Sequence, residues 1–241
     1  MSTDRRNDHR PGPLAPAGLA PRRAILLLSL AAASCGPALA QTSVTATIAS
    51  EYSLRGLSLS DARAVPQLRI DHDTAGGAYA GLFASRVFLR ASQARASVIA
   101  YGGYARRFVS GVGWDAGISR TVFAHDARYN YTEAYAGISS DRASARLSLA
   151  PDYYGTGRTA YAEVNAVKPL GERLRISGHA GLLRRLGRQG GAARERGDLR
   201  VALGADLGDA SIELGLQARQ RDPGLRAPRA RALFASASLG F

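Results

Sequence analysis

An alternation of side-chain character constrains this chain more than any other feature. From Ser43 to Phe241, segments of about ten residues alternate apolar with polar or very small side chains, and each segment ends in a turn. No stretch of helical period covers the apolar positions. A ribbon with one apolar and one polar face fits a closed membrane barrel, in which lipid contacts the outside and water or packed polar groups the inside.

A water-soluble β-sandwich is the alternative architecture for such an alternation. Its two packed sheets need large apolar residues on their inner faces. Here the apolar face is rich in alanine, and the other face carries Glu, Asp or Arg in almost every segment. Because burying so many charges in a dry core is prohibitive, the sequence predicts an all-β fold, a closed antiparallel transmembrane barrel.

Twelve strands are predicted, joined by connections that alternate between short and long. Short connections such as 75–77 and 208–209 are typical of periplasmic turns, and longer ones such as 53–64 are typical of outer loops. An even number of strands also returns both termini of the chain to the periplasm. The predicted strands are 43–52, 65–74, 78–88, 95–108, 113–123, 130–140, 143–152, 158–169, 174–184, 198–207, 210–220 and 230–241.

The two-residue period of a strand assigns each side chain to one face. In the first predicted strand, Val44, Ile48 and Tyr52 face lipid. Because a charge in the lipid midplane costs a few kcal/mol, Arg106 and Arg120, which break the pattern, are expected near a membrane interface. The residues predicted to line the lumen are Glu51, Arg69, Asp71, Arg86, Asp115, Glu133, Arg146, Glu163, Arg175, His179, Arg200, Asp206, Glu213 and Arg219.

Residues 1–40 are interpreted as an export signal that is cleaved after Ala40, which leaves 41–241 as the barrel domain. Two arginines at 22 and 23 precede an apolar run, and Ala38-Leu39-Ala40 forms a small-x-small cleavage site. The apolar run is too short to span a bilayer as a helix. The single cysteine, Cys35, lies in this segment, where acylation is the alternative, so the processed chain is expected to have no disulfide or thiolate chemistry.

The chain is strongly basic, with a formal net charge of +13. Nucleic-acid binding is one interpretation of such a charge, but the export signal and the absence of an aromatic–basic stacking platform argue against it. Two predicted outer loops, 184–197 and 219–231, carry clusters of arginine. Since arginine binds phosphate and carboxylate groups bidentately, these loops form either an electropositive vestibule for anions or a surface for lipopolysaccharide phosphates.

Several segments resemble the TorF family of porins. The match begins with the stretch 50–58, SEYSLRGLS, followed by Ser60 and Asp61, and similar segments follow at 79–85, 101–104, 131–137 and 147–155. Its most specific part is the Arg-Gly-x-Ser-x-Ser-Asp pattern at 55–61. The resemblance implies a barrel in the outer membrane of a Gram-negative bacterium, with a role in transport and no catalytic residues. The motif residues in this chain are Arg55, Gly56, Ser58, Ser60 and Asp61.

Three classes of function follow from these features. Mixed charges across a narrow lumen would orient and select small polar solutes in a channel, or they would pair into networks that fill a structural or adhesion barrel. An outer-membrane hydrolase would need a histidine beside a nucleophile or paired carboxylates, and His72, His125 and His179 belong to no such motif. The sequence favours a passive channel for small polar solutes or ions, not an enzyme, with no cofactor and no metal.

The expected partners follow from the same prediction. They are the lipid and lipopolysaccharide of the outer membrane, the machinery that assembles outer-membrane barrels, and small polar solutes; nucleic acid is not among them. The alternation that ends at Phe241 resembles the terminal signal that the assembly machinery reads.

Overall fold

The computed structural model describes residues 40–89, 92–187, 195–219 and 231–241, without the side chains of Arg219 and Arg231. The predicted signal segment, apart from Ala40, therefore lies outside the described residues. No helix in these ranges is long and apolar enough to cross a membrane. The only helical element described is a 3₁₀ turn at Ala127–Tyr129.

Twelve antiparallel strands form a closed barrel, which confirms the predicted fold. Each strand pairs with its neighbours along the chain. A separate two-stranded hairpin, β2 (Ser53–Leu54) and β3 (Leu57–Ser58), follows the first strand. The barrel strands are β1 (Gln41–Ala49), β4 (Val65–Asp73), β5 (Ala78–Arg86), β6 (Ala96–Arg107), β7 (Gly113–Ala124), β8 (Tyr131–Ser139), β9 (Ala143–Ala150), β10 (Thr159–Pro169), β11 (Leu174–Arg185), β12 (Glu195–Leu207), β13 (Ala210–Arg219) and β14 (Arg231–Gly240).

The barrel closes between its first and last strands. β1 pairs with β14 from Thr45 opposite Gly240 to Ala49 opposite Ser236. Beyond the ladder, Phe241 N–H donates to the Val44 carbonyl at 2.9 Å. Closure satisfies the backbone groups that an open edge would leave without partners, which is a requirement for any sheet immersed in hydrocarbon.

An apolar belt covers the outside of the barrel. Every barrel strand exposes at least one large apolar side chain, such as Ile118 at 65%, Leu214 at 57% and Leu216 at 62%. Tyr104 and Trp114 lie together on this face beside the short turn 108–112, with ring centroids 6.1 Å apart. Amphipathic aromatic rings of this kind are typical of a membrane interface.

The two arginines that break the strand pattern both lie on the outer face. Arg106 donates to the Tyr104 hydroxyl beside the short turn, at one end of the belt. Arg120 donates to Thr132 Oγ1 at 2.9 Å, and Thr132 is the second residue of β8, close to the opposite end. The predicted strand register therefore holds around both arginines.

One residue of the first predicted strand is on the wrong face. β1 ends at Ala49, and Tyr52 is buried inside the barrel rather than exposed to lipid. The strand period no longer applies after Ala49, because the chain leaves the ladder there and turns inward toward the hairpin. There the Tyr52 carbonyl accepts a hydrogen bond from Leu59 N–H at 2.8 Å.

The apolar core of the barrel lies at the end that carries the long loops. Leu59, 1% exposed, comes from the first loop, and Tyr153 from the loop between β9 and β10. They pack with strand-end residues such as Val65 and Phe123. This cluster closes part of the barrel mouth with aromatic and aliphatic side chains, and the remaining interior is polar.

Inward-facing glycines make room for large side chains on the next strand. A Cβ at Gly103 would lie 2.6 Å from the Tyr79 hydroxyl, and one at Gly117 would lie 2.6 Å from the Tyr135 hydroxyl. A real Cβ atom essentially never makes a contact this short, so only glycine leaves each ring space to lie flat on the wall. The same arrangement places Tyr101 over Gly81, Tyr161 over Gly181, Arg175 over Gly204 and Phe234 over Gly215.

The outer belt generates a test of membrane solvation. Leu214→Arg, near the middle of β13, is expected to destabilise the lipid-embedded barrel by about 2–4 kcal/mol, because it moves a charge to the hydrocarbon midplane. Leu207→Arg, at the end of β12, is expected to cost about 0–1 kcal/mol. Denaturant unfolding of the purified barrels in lipid vesicles measures both. Equal costs for the two variants would contradict the assigned membrane span.

A second test uses two glycines of β11. Gly181→Ala is expected to destabilise the barrel by about 1–3 kcal/mol, because the new methyl group overlaps the Tyr161 hydroxyl and lies 2.9 Å from Asp198 Oδ2. Gly178→Ala is the matched control, since nothing lies within 4 Å of a Cβ at that position. Denaturant unfolding of both variants measures the difference. A loss as large for Gly178→Ala would show that the effect does not depend on Tyr161.

Candidate functional site

The candidate site is the polar interior of the barrel. A cavity of about 340 Å³ runs from Ser43 and Asp73, at the end with short turns, to Arg55 in the hairpin at the opposite end. One wall, formed by β1 and β14, carries mostly small side chains such as serine and threonine. There Thr47 Oγ1 and Ser238 Oγ share a hydrogen bond of 2.9 Å. Apart from Phe234 of β14, the charged and aromatic side chains that line the cavity come from outside these two strands.

Arg69 and Asp71 form an ion pair within β4. Arg69 Nε and Nη2 donate to the two Asp71 carboxylate oxygens at 2.7 and 3.1 Å. The Tyr101 hydroxyl also donates to Asp71, and the Arg69 guanidinium lies 5.3 Å from the Tyr101 ring centroid. The bidentate geometry holds both charges in fixed positions at the cavity wall.

A second network surrounds Asp115, which is 4% exposed. Arg146 Nη2 donates to Asp115 Oδ2 at 2.9 Å, and the Tyr79 hydroxyl donates to the same oxygen at 3.2 Å. The Tyr79 and Tyr135 hydroxyls are 2.8 Å apart, and the Arg146 guanidinium lies 4.7 Å from the Tyr135 ring centroid. Strands β5, β7, β8 and β9 are therefore linked through side chains as well as through their ladder.

Two further arginines are paired across β11, β12 and β13. Arg175 donates to Asp206, and its Nη2 lies 4.0 Å from Glu213 Oε2. Arg200 donates to Glu213 and stacks on Phe234, with its guanidinium carbon 3.8 Å from the ring centroid. Nearby, Gln217 Nε2 donates to Glu51 at 2.6 Å. The lumen charges on this side are thus neutralised over short distances.

His179 is held from both sides of its ring. Its Nε2 lies 2.8 Å from Asp198 Oδ1 and 3.1 Å from the Tyr161 hydroxyl, and its Nδ1 lies 2.7 Å from Asn165 Oδ1. Both ring nitrogens therefore have protein partners. Glu163 also lines the cavity close by, and within the described part of the chain it has no hydrogen bond or ion pair.

The hairpin after β1 brings the family-like motif into the lumen; residues 53–58 are named the mouth hairpin. Arg55 and Gly56 form its two-residue turn with φ of 50° and 71°, the left-handed conformation that such tight hairpins require. Arg55 Nη2 donates to Glu133 Oε2 at 2.8 Å, and its guanidinium lies 4.5 Å from the Tyr161 ring centroid. A non-glycine residue in this conformation is strained, and the ion pair with buried Glu133 holds it in place.

The rest of the motif anchors the mouth hairpin to the wall. Ser60 Oγ accepts a hydrogen bond from Tyr52 N–H at 2.9 Å, and the Leu59 carbonyl accepts one from Phe88 N–H at 2.7 Å. Asp61 adopts a φ of 52° where the chain turns back toward β4. Ser58 lies in β3, so the motif as a whole specifies a loop folded into the barrel.

The structure places most of the predicted lumen residues inside the barrel. Arg86 is the exception: its prediction is wrong, because Tyr79, Phe83 and Ser85 occupy the inward parity of β5 and Arg86 lies exposed on the outer face. The side chain of Arg219 lies outside the described residues. Those on the inner face are Glu51, Arg69, Asp71, Asp115, Glu133, Arg146, Glu163, Arg175, His179, Arg200, Asp206 and Glu213.

Sequence reasoning missed the aromatic side of the lumen. Tyr79, Tyr101, Tyr135 and Tyr161 all point inward and bond to lumen carboxylates or to each other. It also missed Asp198, the partner of His179. The sequence did contain a signal for these rings, which is an inward-facing glycine on the strand next to each tyrosine. A glycine within a strand marks a close approach of a neighbouring group.

The other candidate histidines lie away from this network. His72 points outward from β4 and shares a hydrogen bond of 2.8 Å with Thr42 Oγ1. His125 is exposed in the loop after β7, with a φ of 72°. In the described ranges, no group of three or more His, Cys, Asp or Glu residues is arranged to hold a metal ion.

These contacts give the lumen a defined chemical character. It is a polar passage whose charges are mostly paired, with hydroxyl groups on one wall, aromatic and charged groups on the other, and the mouth hairpin across one end. Fixed dipoles and ion pairs of this kind can exchange hydrogen bonds with a small polar solute as it passes.

Comparison with known proteins adds a family and a fold. A family profile, "Bacterial protein of unknown function (Gcw_chp)", matches residues 32–214, and no curated protein matches the chain. Among solved structures it is similar to "KdgM porin in complex with disordered oligogalacturonate", with 13% identity and a TM-score of 0.49 over 84% of this chain and 99% of that one. It is also similar to "LpxR from Salmonella typhimurium", with 9% identity and a TM-score of 0.44 over 83% and 99%. Because the family profile covers more than half of its length, the chain belongs to the Gcw_chp family of bacterial proteins.

Proposed function

We propose that the protein is an outer-membrane channel through which small polar solutes or ions diffuse passively. The observation that carries the proposal is the polar cavity inside a barrel whose outside is apolar. A barrel that served only as a scaffold could fill its interior with apolar side chains at less cost than with ion pairs. A lumen of hydroxyls and paired charges is suited to water and to solutes that hydrogen-bond.

The outer membrane is the location that this architecture favours. Short turns at one end, longer loops at the other and an aromatic pair beside a short turn are typical of exported bacterial barrels. The resemblance of the segment around Arg55 to TorF porins supports transport as the role. The proposal also includes the expected signal segment 1–40 and the absence of a cofactor.

The mouth hairpin is the constriction of the proposed channel. It projects into the lumen where Glu133 is 5% exposed, and Arg55 fills the space between that carboxylate and the rings of Tyr153 and Tyr161. We therefore expect a low conductance with the mouth hairpin in place.

The proposal excludes catalysis by the lumen residues. His179 is the one histidine that faces the interior in the described residues, and its two nitrogens bond to Asp198, Tyr161 and Asn165. A hydrolytic centre built on this histidine needs one of these nitrogens directed at a serine, threonine or water nucleophile. The arrangement orients the ring as part of the wall instead.

Conductance across planar bilayers tests the channel. Arg55→Ala is expected to raise the single-channel conductance, because breaking a buried ion pair costs about 3–5 kcal/mol and releases the mouth hairpin from Glu133. Replacement of residues 53–58 by two glycines is expected to raise it further. Arg63→Gln is the matched control: Arg63 lies in the same loop, stacks on Phe88 at 4.8 Å and does not line the cavity.

The outcomes separate the candidate functions. No conductance from either the wild type or the hairpin replacement, both inserted and heat-modifiable, would contradict the channel and favour a non-conducting structural or adhesion barrel. Unchanged conductance in Arg55→Ala would be consistent with the channel but would contradict the proposal that the mouth hairpin constricts it. The reversal potential in a KCl gradient tests the anion vestibule predicted for loops 184–197 and 219–231, most of which lie outside the described residues; cation preference would contradict it.

A further inference from the structure

Toward the end of the barrel with long loops, the lipid-facing surface of strands β5 to β8 carries two arginines that have no carboxylate partner among the described residues. Arg86 ends β5 on the outer face, and Arg120 lies on the outer face of β7; both are exposed. The acidic residues of these four strands, Asp115 and Glu133, are both buried in the lumen. No carboxylate of these strands can therefore reach the two outer guanidinium groups.

Arg120 lies within an apolar surface. Its neighbours on the same face of β7 are Ile118, 65% exposed, and Val122. Its only described hydrogen bond is to Thr132 Oγ1, a neutral group that satisfies one of five N–H donors. Arg86 contacts the ring of Phe88 at 5.0 Å and has no described hydrogen-bond acceptor. Each cation thus keeps several donors directed away from the protein.

The register places the two arginines close enough for one lipid head group. Arg86 pairs with Ala96, and Ala96 pairs with Ala124, four residues along β7 from Arg120. Two strand spacings and four residues of rise put their Cα atoms about 16 Å apart. Both lie toward the end of the barrel with long loops, which in an exported barrel is the outer leaflet.

The acid in the loop that follows β7 is already occupied. Asp126, in the loop between β7 and β8, accepts from Arg128 at 2.8 and 2.9 Å and from Ser92 Oγ at 2.7 Å. The Arg128 guanidinium and then the Ser92 hydroxyl hold the pKa of the Asp126 carboxyl well below its usual range. This loop therefore supplies no free carboxylate to the two outer arginines.

We propose that Arg86 and Arg120 bind the phosphate groups of a phosphorylated glycolipid of the outer leaflet, of the lipid A type. Guanidinium groups bind phosphate through two parallel hydrogen bonds. A diphosphorylated sugar head group offers two such anions at the depth where hydrocarbon gives way to polar groups. The site rests on the outer-membrane location in the proposed function and does not depend on conduction.

Binding of purified lipids to the full-length processed barrel in nanodiscs tests this site. Diphosphorylated lipid A is expected to bind the wild type, and the Arg86→Gln/Arg120→Gln double variant is expected to bind it at least about tenfold more weakly, since two charge-assisted contacts are lost. Native mass spectrometry of the lipid-bound barrel measures both. Arg106→Gln is the matched control, because Arg106 lies on the same outer face at the opposite end of the barrel; it is expected to bind like the wild type.

Three probes distinguish the source of the phosphate. Dephosphorylated lipid A, phosphatidylglycerol and inorganic phosphate are each expected to bind more weakly than diphosphorylated lipid A, with no difference between the wild type and the double variant. Equal binding of dephosphorylated lipid A, or an unchanged affinity in the double variant, would overturn the site. Conductance of the same preparations is measured in parallel, so that a conducting barrel that fails to bind lipid A rejects this site and leaves the channel intact.

Discussion

The absence of water in a bilayer is the constraint on which the rest of this structure depends. Every backbone N–H and C=O within the hydrocarbon needs a protein partner, and the ladder between β1 and β14 supplies the last set. Once the sheet closes, the two-residue period divides each strand between two solvents. Leu214 is exposed to one side and Glu213 to the other, although they are adjacent in the chain. The lumen is therefore lined by the alternate residues that do not face lipid and so need not be apolar.

A narrow lumen then imposes a packing problem that the chain solves with glycine. Inward side chains from opposite strands converge, and a tyrosine can lie flat only where the adjacent strand has no Cβ. Tyr135 beside Gly117 and Tyr161 beside Gly181 show the arrangement. The rings also bring their hydroxyls to lumen groups, so that the same contact fills space and hydrogen-bonds Asp115 or His179. The same tyrosine residues thus determine both the shape of the lumen and the positions of its charged groups.

The sequence predicted the number of strands and most of the lumen, because both follow from a strict period in residues that lipid or water must solvate. It failed where the period does not apply. Arg86 was assigned to the lumen, whereas Tyr79, Phe83 and Ser85 take the inner parity of β5 and so put Arg86 on the outer face. Tyr52 was misplaced because β1 ends at Ala49. The mouth hairpin was unpredictable for a related reason: a loop folded inward is held by contacts with residues far along the chain, such as Glu133, which a local pattern does not contain.

Arginine has two distinct roles in this barrel, and its surroundings decide between them. Inside, Arg55, Arg69 and Arg146 each meet a carboxylate, and each also lies over a tyrosine ring, so their charge is neutralised and their geometry is fixed. Outside, Arg86 and Arg120 meet an aromatic ring and a hydroxyl but no anion. A guanidinium at a hydrocarbon boundary is stabilised by an anion that reaches it or by extending to water at the interface. Since no carboxylate of the described strands β5 to β8 faces outward, the phosphates of the proposed glycolipid would neutralise these two charges, as the lumen carboxylates neutralise the inner ones.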